Sequence, residues 1–130
     1  KYRKNLMDDL YHEELLEAAR DPHNKGALPD ADLSSPPEVN SCGDSCRVFL
    51  KLSDDKKIIS ALTWQGTGCV ISTASLSLLS DHIQGKRVAE VQAWDENTLL
   101  SWLGLETFAT ARKKCLLLGL NTVQKLLSES

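Results

Sequence analysis

Two neighbouring stretches of strand-like sequence constrain the fold of this chain more than any other feature. In Cys46–Leu52, apolar residues fill every second position, and only Phe49 breaks the alternation. The second stretch, Lys57–Gln65, is rich in β-branched and aromatic residues, and Ser53-Asp54-Asp55-Lys56 supplies turn residues between the two. When apolar residues recur at every second position, their side chains all lie on one face of a strand. The pattern therefore predicts a β-hairpin.

Helices are predicted around this hairpin. Amphipathic spacing predicts a helix over residues 5–20, and the Asp21-Pro22 step ends it. Apolar spacing and glycine stops predict four later helices, at Cys69–Ile83, Val88–Trp94, Asn97–Leu103 and about Arg112 to Leu127. The proline-rich residues 27–41 are predicted to be a loop or a short edge strand. The fold class is α+β, with a small antiparallel sheet covered by helices on one face.

Size and charge exclude several classes of protein. A chain of 130 residues is long enough for one domain, 1–130, with its own core. The net charge of −3 argues against a nucleic-acid-binding surface. No apolar run approaches the roughly 18 residues that span a bilayer, and no signal-peptide pattern is seen. We expect a cytoplasmic protein with neither membrane nor nucleic acid as partner.

Cysteines in three short stretches are the strongest functional signal. They are Asn40-Ser41-Cys42-Gly43-Asp44-Ser45-Cys46, Gly66-Thr67-Gly68-Cys69 and Ala111-Arg112-Lys113-Lys114-Cys115. Disulfide frameworks belong to small secreted domains, so a metal or sulfur site is favoured here. We predict that Cys42, Asp44, Cys69 and Cys115 form one thiolate-rich site.

The predicted elements suit that chemistry. Cys69 and Cys115 lie at predicted helix N-termini, where unpaired N–H groups and the helix dipole favour the thiolate. Cys42 and Asp44 are two residues apart, so an extended segment points both side chains the same way. Three thiolates and one carboxylate over-neutralise Zn²⁺, and the basic run Arg112-Lys113-Lys114 could offset that excess.

Other roles are open for several of these residues. Cys69 and Cys115 could be buried small hydrophobes, and Asp44 could be a turn or capping residue. Cys46 is expected in the core but could be a fifth member of the site. His12, His23 and His82 are expected to have surface or capping roles rather than to bind metal. The spacing lacks paired Cys-x-x-Cys knuckles, so the residues alone predict only a thiolate site.

These motifs together resemble the U-type iron–sulfur cluster assembly proteins, which include IscU, SufU and the N-terminal domain of NifU. The resemblance rests on Asp21–Gly26, Cys42-Gly43-Asp44, Gly66–Ser75, Gly85-Lys86 and Ala111–Cys115. It implies a SufE/NifU-like fold of three antiparallel strands packed against several helices. It also implies three essential cysteines, Cys42, Cys69 and Cys115, with Asp44 as the aspartate of the site.

The resemblance implies a function as well. Members receive sulfur from a PLP-dependent cysteine desulfurase and either build a [2Fe–2S] cluster for apo iron–sulfur proteins or pass the sulfur on. Zn²⁺ occupies the same site in many of them. Cys42 and Cys115 are then the candidate persulfide acceptors, and the protein is a scaffold or carrier rather than a conventional enzyme.

Three departures bear on which branch the chain resembles. Lys114 stands before the third cysteine, where IscU-type scaffolds have His and SufU has Lys. Phe108–Arg112 replaces the Leu-Pro-Pro-Val-Lys chaperone motif. The Cys69-to-Cys115 interval has no room for the insertion of about twenty residues typical of SufU.

We expect a cluster assembly scaffold. The alternatives are a zinc-dependent sulfurtransferase, in which Arg112 pairs with Asp44 when the metal shell opens, and a protein-interaction domain with structural zinc.

Overall fold

The sheet is built around the predicted hairpin. The computed structural model describes residues 16–41, 43–103 and 113–129. Four strands pair in one antiparallel sheet: β1 (Leu33–Ser34), β2 (Glu38–Val39), β3 (Ser45–Leu52) and β4 (Ile59–Thr67). The long pair β3 and β4 runs from Ser45 opposite Thr67 to Leu52 opposite Ile59, with an irregularity at Lys51/Leu52. The hairpin prediction is confirmed.

The third position of the sheet holds two short strands instead of one. β1 and β2 both pair with the free edge of β3, Leu33 opposite Leu50 and Glu38 opposite Cys46. Pro36-Pro37 lies between them, and proline cannot donate to a strand ladder. The predicted small antiparallel sheet is therefore correct, and its edge strand is split at the two prolines.

Helices cover one face of this sheet. The described part of α1 spans residues 16–20. It is followed by α2 (Val70–Ile83), α3 (Val88–Gln92), α4 (Glu96–Leu103) and α5 (Lys113–Ser128). These bounds confirm the four later helices within one or two residues. The predictions for residues 5–15 and for a stop at Gly104 lie outside the described residues. Within the described ranges, no helix is both long and apolar enough to cross a membrane.

The core lies between the sheet and helices α2 and α5. Alternate residues of β3 point into it, and Cys46, Val48 and Leu50 are at most 1% exposed. Trp64 of β4 is equally buried, and its indole Nε1 donates to the carbonyl of His23 at 2.8 Å. This core holds β3 against β4. The start of β3 at Ser45 and the end of β4 at Thr67 are paired and lie at the same end of the sheet.

Candidate functional site

Three predicted site residues meet at this end of the sheet. Asp44 directly precedes β3, Cys69 is the N-cap of α2, and Cys115 lies in the first turn of α5. One carboxylate oxygen and the two sulfur atoms all lie within 4.8 Å of one another. These three residues are separated by 25, 46 and 71 positions in the chain. They converge because a strand and two helices begin at one place.

Asp44 is held in place by two N–H donors. It continues the inward-facing alternation of β3 and is 4% exposed. The backbone N–H of Cys69 donates to Oδ1, and the Asn40 side-chain amide donates to Oδ2, both at 3.0 Å. Burial raises the pKa of Asp44, but hydrogen bonds from Cys115, Asn40, Cys69 and Ser72 outweigh it and leave the pKa lowered. Asp44 is therefore an oriented, anionic ligand candidate.

Cys69 has the environment of a stabilised thiolate. Burial raises its pKa, but the backbone N–H of Ser72 and the Cys115 thiol, among other donors, hydrogen-bond its sulfur and lower the pKa overall. Ser72 Oγ lies 3.8 Å from the Cys69 sulfur and donates to the Cys69 carbonyl at 3.1 Å. The prediction that a helix start favours this thiolate agrees with the orphan N–H groups found there.

Cys115 has the opposite environment. Burial, then hydrogen bonding to Asp44 and to Cys69, raises its pKa to about 12. Its thiol is 4% exposed and keeps its proton between two better acceptors. Without a metal, the cluster therefore holds one carboxylate, one cysteine with a lowered pKa and one thiol with a raised pKa that hydrogen-bonds to both.

The donor set fits a thiophilic metal. In a tetrahedral zinc site with Zn–S bonds of about 2.3 Å, donors lie roughly 3.5 to 3.8 Å apart. Donors already within 4.8 Å need only contract. Gly68 leaves room for this cradle, because a Cβ there would overlap Ser72 Oγ and lie 2.6 Å from Asp44 Oδ1. Asp44, Cys69 and Cys115 would hold the ion, and two thiolates select Zn²⁺ or iron–sulfur species over hard cations.

The remaining predicted ligand, Cys42, lies outside the described residues, so its place in the site stays a prediction. Its described neighbours are anchored. Lys114 Nζ donates to Ser41 Oγ at 2.6 Å, and the Gly43 N–H donates to the Asn40 carbonyl at 3.1 Å. Ser41 is therefore tied to the helix that carries Cys115, and Gly43 is tied to Asn40.

The two described lysines of the basic run before Cys115 contact different partners. Lys113 Nζ pairs with Glu96 Oε1 at 3.4 Å, whereas Lys114 contacts Ser41. Arg112, with its predicted pairing to Asp44, lies outside the described residues. Lys114 brings no imidazole to the cluster, so a fourth protein ligand has to come from another residue.

Cys46 and the described histidines lie elsewhere. Cys46 is 1% exposed in the core, 3.3 Å from Thr122 Oγ1, as its expected core role requires. His23 bridges Asp81 and Glu17, and His82 stacks on Trp102 with ring centroids 4.2 Å apart. His12 lies outside the described residues.

Two residues of the site had no predicted role. Asn40 holds Asp44, and Ser72 contacts Cys69. A sequence signal existed for each: an Asn four residues before the aspartate, in a turn, and a Ser one helical turn after the cysteine. Neither signal says which partner the side chain takes.

Comparison with known proteins shows the family to which the chain belongs. Residues 10–129 match the family described as NifU-like N terminal domain. The chain is 30% identical to the iron–sulfur cluster assembly scaffold protein IscU of Thermotoga maritima, over 92% of this chain and 94% of that protein. It is 35% identical to the zinc-dependent sulfurtransferase SufU of Bacillus subtilis, over 63% of this chain and only 54% of that protein.

Solved structures share the architecture. The N-terminal NifU-like protein of Brucella abortus superposes with a TM-score of 0.77 at 19% identity, covering 96% of each chain. FiSufU of Fervidobacterium islandicum gives 0.68 at 23% identity, over 88% of this chain and 94% of that one. These two likenesses establish the fold, and the family match covers most of the sequence. The chain belongs to the NifU-like N-terminal domain family, which confirms the resemblance of its motifs.

Proposed function

We propose that this chain is a cytoplasmic iron–sulfur cluster assembly scaffold that takes sulfur from a PLP-dependent cysteine desulfurase and serves apo iron–sulfur proteins. The observation that carries the proposal is the convergence of Asp44, Cys69 and Cys115 within 4.8 Å. Cys69 is only half-buried, and a site that must both accept and release cargo needs such access. The full-length likeness to a scaffold protein supports the same function.

Sulfur transfer is a thiol–persulfide exchange. A thiolate of this chain bonds to the outer sulfur of the desulfurase persulfide, that S–S bond breaks, and the desulfurase cysteine leaves as a thiolate. Cys42 and Cys115 are the proposed acceptors. Because Cys115 is 4% exposed and its raised pKa keeps it protonated, we expect Cys42 to accept first.

Cluster assembly then uses iron and sulfide as substrates, and the outer sulfur of the persulfide becomes sulfide when a dithiol or an electron-transfer protein supplies two electrons. Cys42, Cys69 and Cys115 are the proposed thiolate ligands, and Asp44 is the proposed oxygen ligand. Both Asp44 oxygens already accept an N–H bond, which reduces the electron density that they can donate to iron. Asp44 is therefore the ligand that an incoming acceptor thiolate replaces most easily.

A second candidate is a zinc-dependent sulfur carrier. Two observations favour it: the 35% identity to a zinc-dependent sulfurtransferase and the position of Lys114, which leaves the described cluster without an imidazole. In this function the same residues hold resident Zn²⁺, which keeps the thiols deprotonated until the desulfurase docks. Cys42 would again accept the sulfur.

Anaerobic reconstitution with ferrous iron, cysteine and a cognate desulfurase tests the proposal. Visible absorbance, a metal count and transfer to an apo-ferredoxin are the readouts, and a Cys69→Ser variant is the negative control. Transferable cluster bands are the expected result. One zinc per chain that stimulates the desulfurase without any cluster would instead establish the sulfur carrier.

The same samples test a purely structural metal site. Removal of metal from a structural site should unfold the domain. A scaffold or carrier should stay folded by circular dichroism after metal removal, with thiols that react.

A further inference from the structure

Asn40 hydrogen-bonds the residues that enter β3 through both its main chain and its side chain. Its side chain donates to Asp44 Oδ2 and accepts from the Asp44 N–H, both at 3.0 Å. Its backbone N–H donates to the Asp44 carbonyl at 3.0 Å, and its carbonyl accepts from the Gly43 N–H at 3.1 Å. Asn40 is therefore joined to Gly43 and Asp44 by hydrogen bonds of both its main chain and its side chain.

The same side chain reaches the helix that carries Cys115. Asn40 Nδ2 lies 3.4 Å from the Lys114 carbonyl, 74 residues along the chain. Lys114 in return contacts Ser41 through its Nζ at 2.6 Å. These two contacts join Asn40 and Ser41 to the first turn of α5.

Asp44 accepts hydrogen bonds from two N–H groups, the Cys115 thiol and Ser72, and the thiol bond is lost when Cys115 is deprotonated to bind a metal. A carboxylate oxygen has two lone pairs, and one N–H donor on each oxygen leaves one lone pair free for a ligand. The Cys69 N–H fixes Oδ1 and the Asn40 amide fixes Oδ2. Without the Asn40 amide, Oδ2 has no N–H donor among the described residues and the carboxylate is freer to rotate about its Cβ–Cγ bond, since that torsion is broad.

We propose that Asn40 is a positioning residue of the site: it fixes the Asp44 carboxylate facing Cys69 and Cys115, and it contacts the first turn of α5 through the Lys114 carbonyl. This role rests on the proposed function, because it matters only where Asp44 serves as a ligand. Outer partners that orient a metal ligand typically contribute about 10- to 100-fold to metal affinity. Asn40 belongs to this class through Asp44.

The first test needs no metal. Amide hydrogen exchange in the metal-free protein reports the Cys69 N–H, whose acceptor is Asp44 Oδ1. Asn40→Ala should lower protection at Cys69 by about tenfold. Asn121→Ala is the matched control, because Asn121 lines the same small cavity as Asn40 and Lys114 and is exposed. Unchanged protection at Cys69 in Asn40→Ala would overturn the proposal.

The second test is a double-mutant cycle on Co²⁺ affinity, read from thiolate-to-cobalt charge-transfer absorbance. Asn40→Ala should weaken binding about 10- to 100-fold in the wild-type background. In the Asp44→Ala background it should change affinity less than about twofold, since the group that it orients is gone. An equal loss in both backgrounds would mean a general structural role and would reject the proposal.

If Asn40→Ala does not fold, Asn40→Asp provides a second test of the proposal. Asn40→Asp has the same shape and keeps the acceptor for the Asp44 N–H, but it loses the donor to Oδ2. Above neutral pH it should show the same losses at Cys69 and in Co²⁺ affinity. If these losses appear while the wild type assembles no cluster, the role of Asn40 stands and the scaffold function is rejected.

Discussion

The backbone N–H of Cys69 donates to Asp44 Oδ1 at 3.0 Å. This bond joins the residue before β3 to the N-cap of α2. Asp44 therefore has two functions. It satisfies an orphan N–H at a helix start, and it presents a carboxylate to the two thiols.

Because Asp44 has these two functions, Asp44→Ala should lower the stability of the fold but lengthen the lifetime of a bound cluster. Without the carboxylate, the Cys69 N–H and the Asn40 amide lose their acceptor in a buried place, at a cost of about 1–3 kcal/mol of unfolding free energy. The cluster, however, loses its most exchangeable ligand and should persist longer.

Urea unfolding of the metal-free protein and the decay of visible absorbance measure these effects separately. Asp54→Ala, at an exposed position in the hairpin turn, is the control. Faster cluster decay in Asp44→Ala would contradict the role of Asp44 as the exchangeable ligand. Weaker equilibrium binding of a single divalent ion by Asp44→Ala would not contradict that role, because the lifetime of the cluster depends on the rate of ligand exchange.

Gly68 and Gly119 provide a matched pair of alanine substitutions. A Cβ at Gly68 would overlap Ser72 Oγ and approach Asp44 Oδ1, whereas one at Gly119 would lie 2.5 Å from Leu76 Cδ2 in the core. Gly119→Ala should lower stability by about 1–3 kcal/mol through overpacking and leave Co²⁺ affinity unchanged. Gly68→Ala should lower Co²⁺ affinity at least about tenfold, since it displaces a ligand.

Thermal melting and cobalt titration of both variants check this prediction. The expected pattern is a loss of affinity confined to Gly68→Ala. Equal affinities in the two variants would mean that the space above Gly68 is not needed for the site.

Local sequence signals predicted the parts of the site that depend on local structure. The alternation in Cys46–Leu52 determines which way Asp44 faces. The glycine break at Gly66-Thr67-Gly68 sets the start of α2 at Cys69. These periodicities are properties of short segments, so the hairpin, the helices and two of the site's thiols were predictable.

Contacts between distant segments were not predictable in the same way. Asn40 meets Lys114 across 74 residues, and His23 meets Asp81 across 58. Whether a polar side chain caps its own turn or reaches another element depends on packing that no short window contains. Packing also gives Cys46 and Asp44 different environments. Both side chains face inward, but Cys46 lies beneath α5, where its sulfur contacts Thr122 Oγ1.

Cys46 is predicted to be dispensable for the chemistry. Burial raises its pKa, and at 1% exposure its thiol is unreactive in the folded protein. Cys46→Ala should lower stability by about 1–2 kcal/mol and keep wild-type metal binding. Mass spectrometry after alkylation of the native protein should find Cys46 unmodified. Its rapid modification, or loss of metal in Cys46→Ala, would make Cys46 a member of the site.

The hydrogen bonds of His23, which lie away from the thiols, are expected to make a pH-dependent contribution to the stability of the fold. Its Nδ1 lies 2.6 Å from Asp81 Oδ2 and its Nε2 3.2 Å from Glu17 Oε2, and these hydrogen bonds raise its pKa above the usual 6.5. A raised pKa means that the folded state binds the proton more tightly than the unfolded state. The contribution is therefore complete below about pH 6.5 and is lost as pH rises through the folded pKa.

Urea unfolding of the wild type and His23→Gln between pH 5.5 and 8.5 tests this sign. The two should differ most at the acidic end and converge at the alkaline end, with a smaller difference at high salt because the groups are partly exposed. His82 is the matched control: burial lowers its pKa, so its protonation opposes folding at acidic pH. His82→Gln should therefore gain stability relative to the wild type as pH falls. A wild-type advantage over His23→Gln that grows with pH would show that the neutral imidazole is the stabilising form.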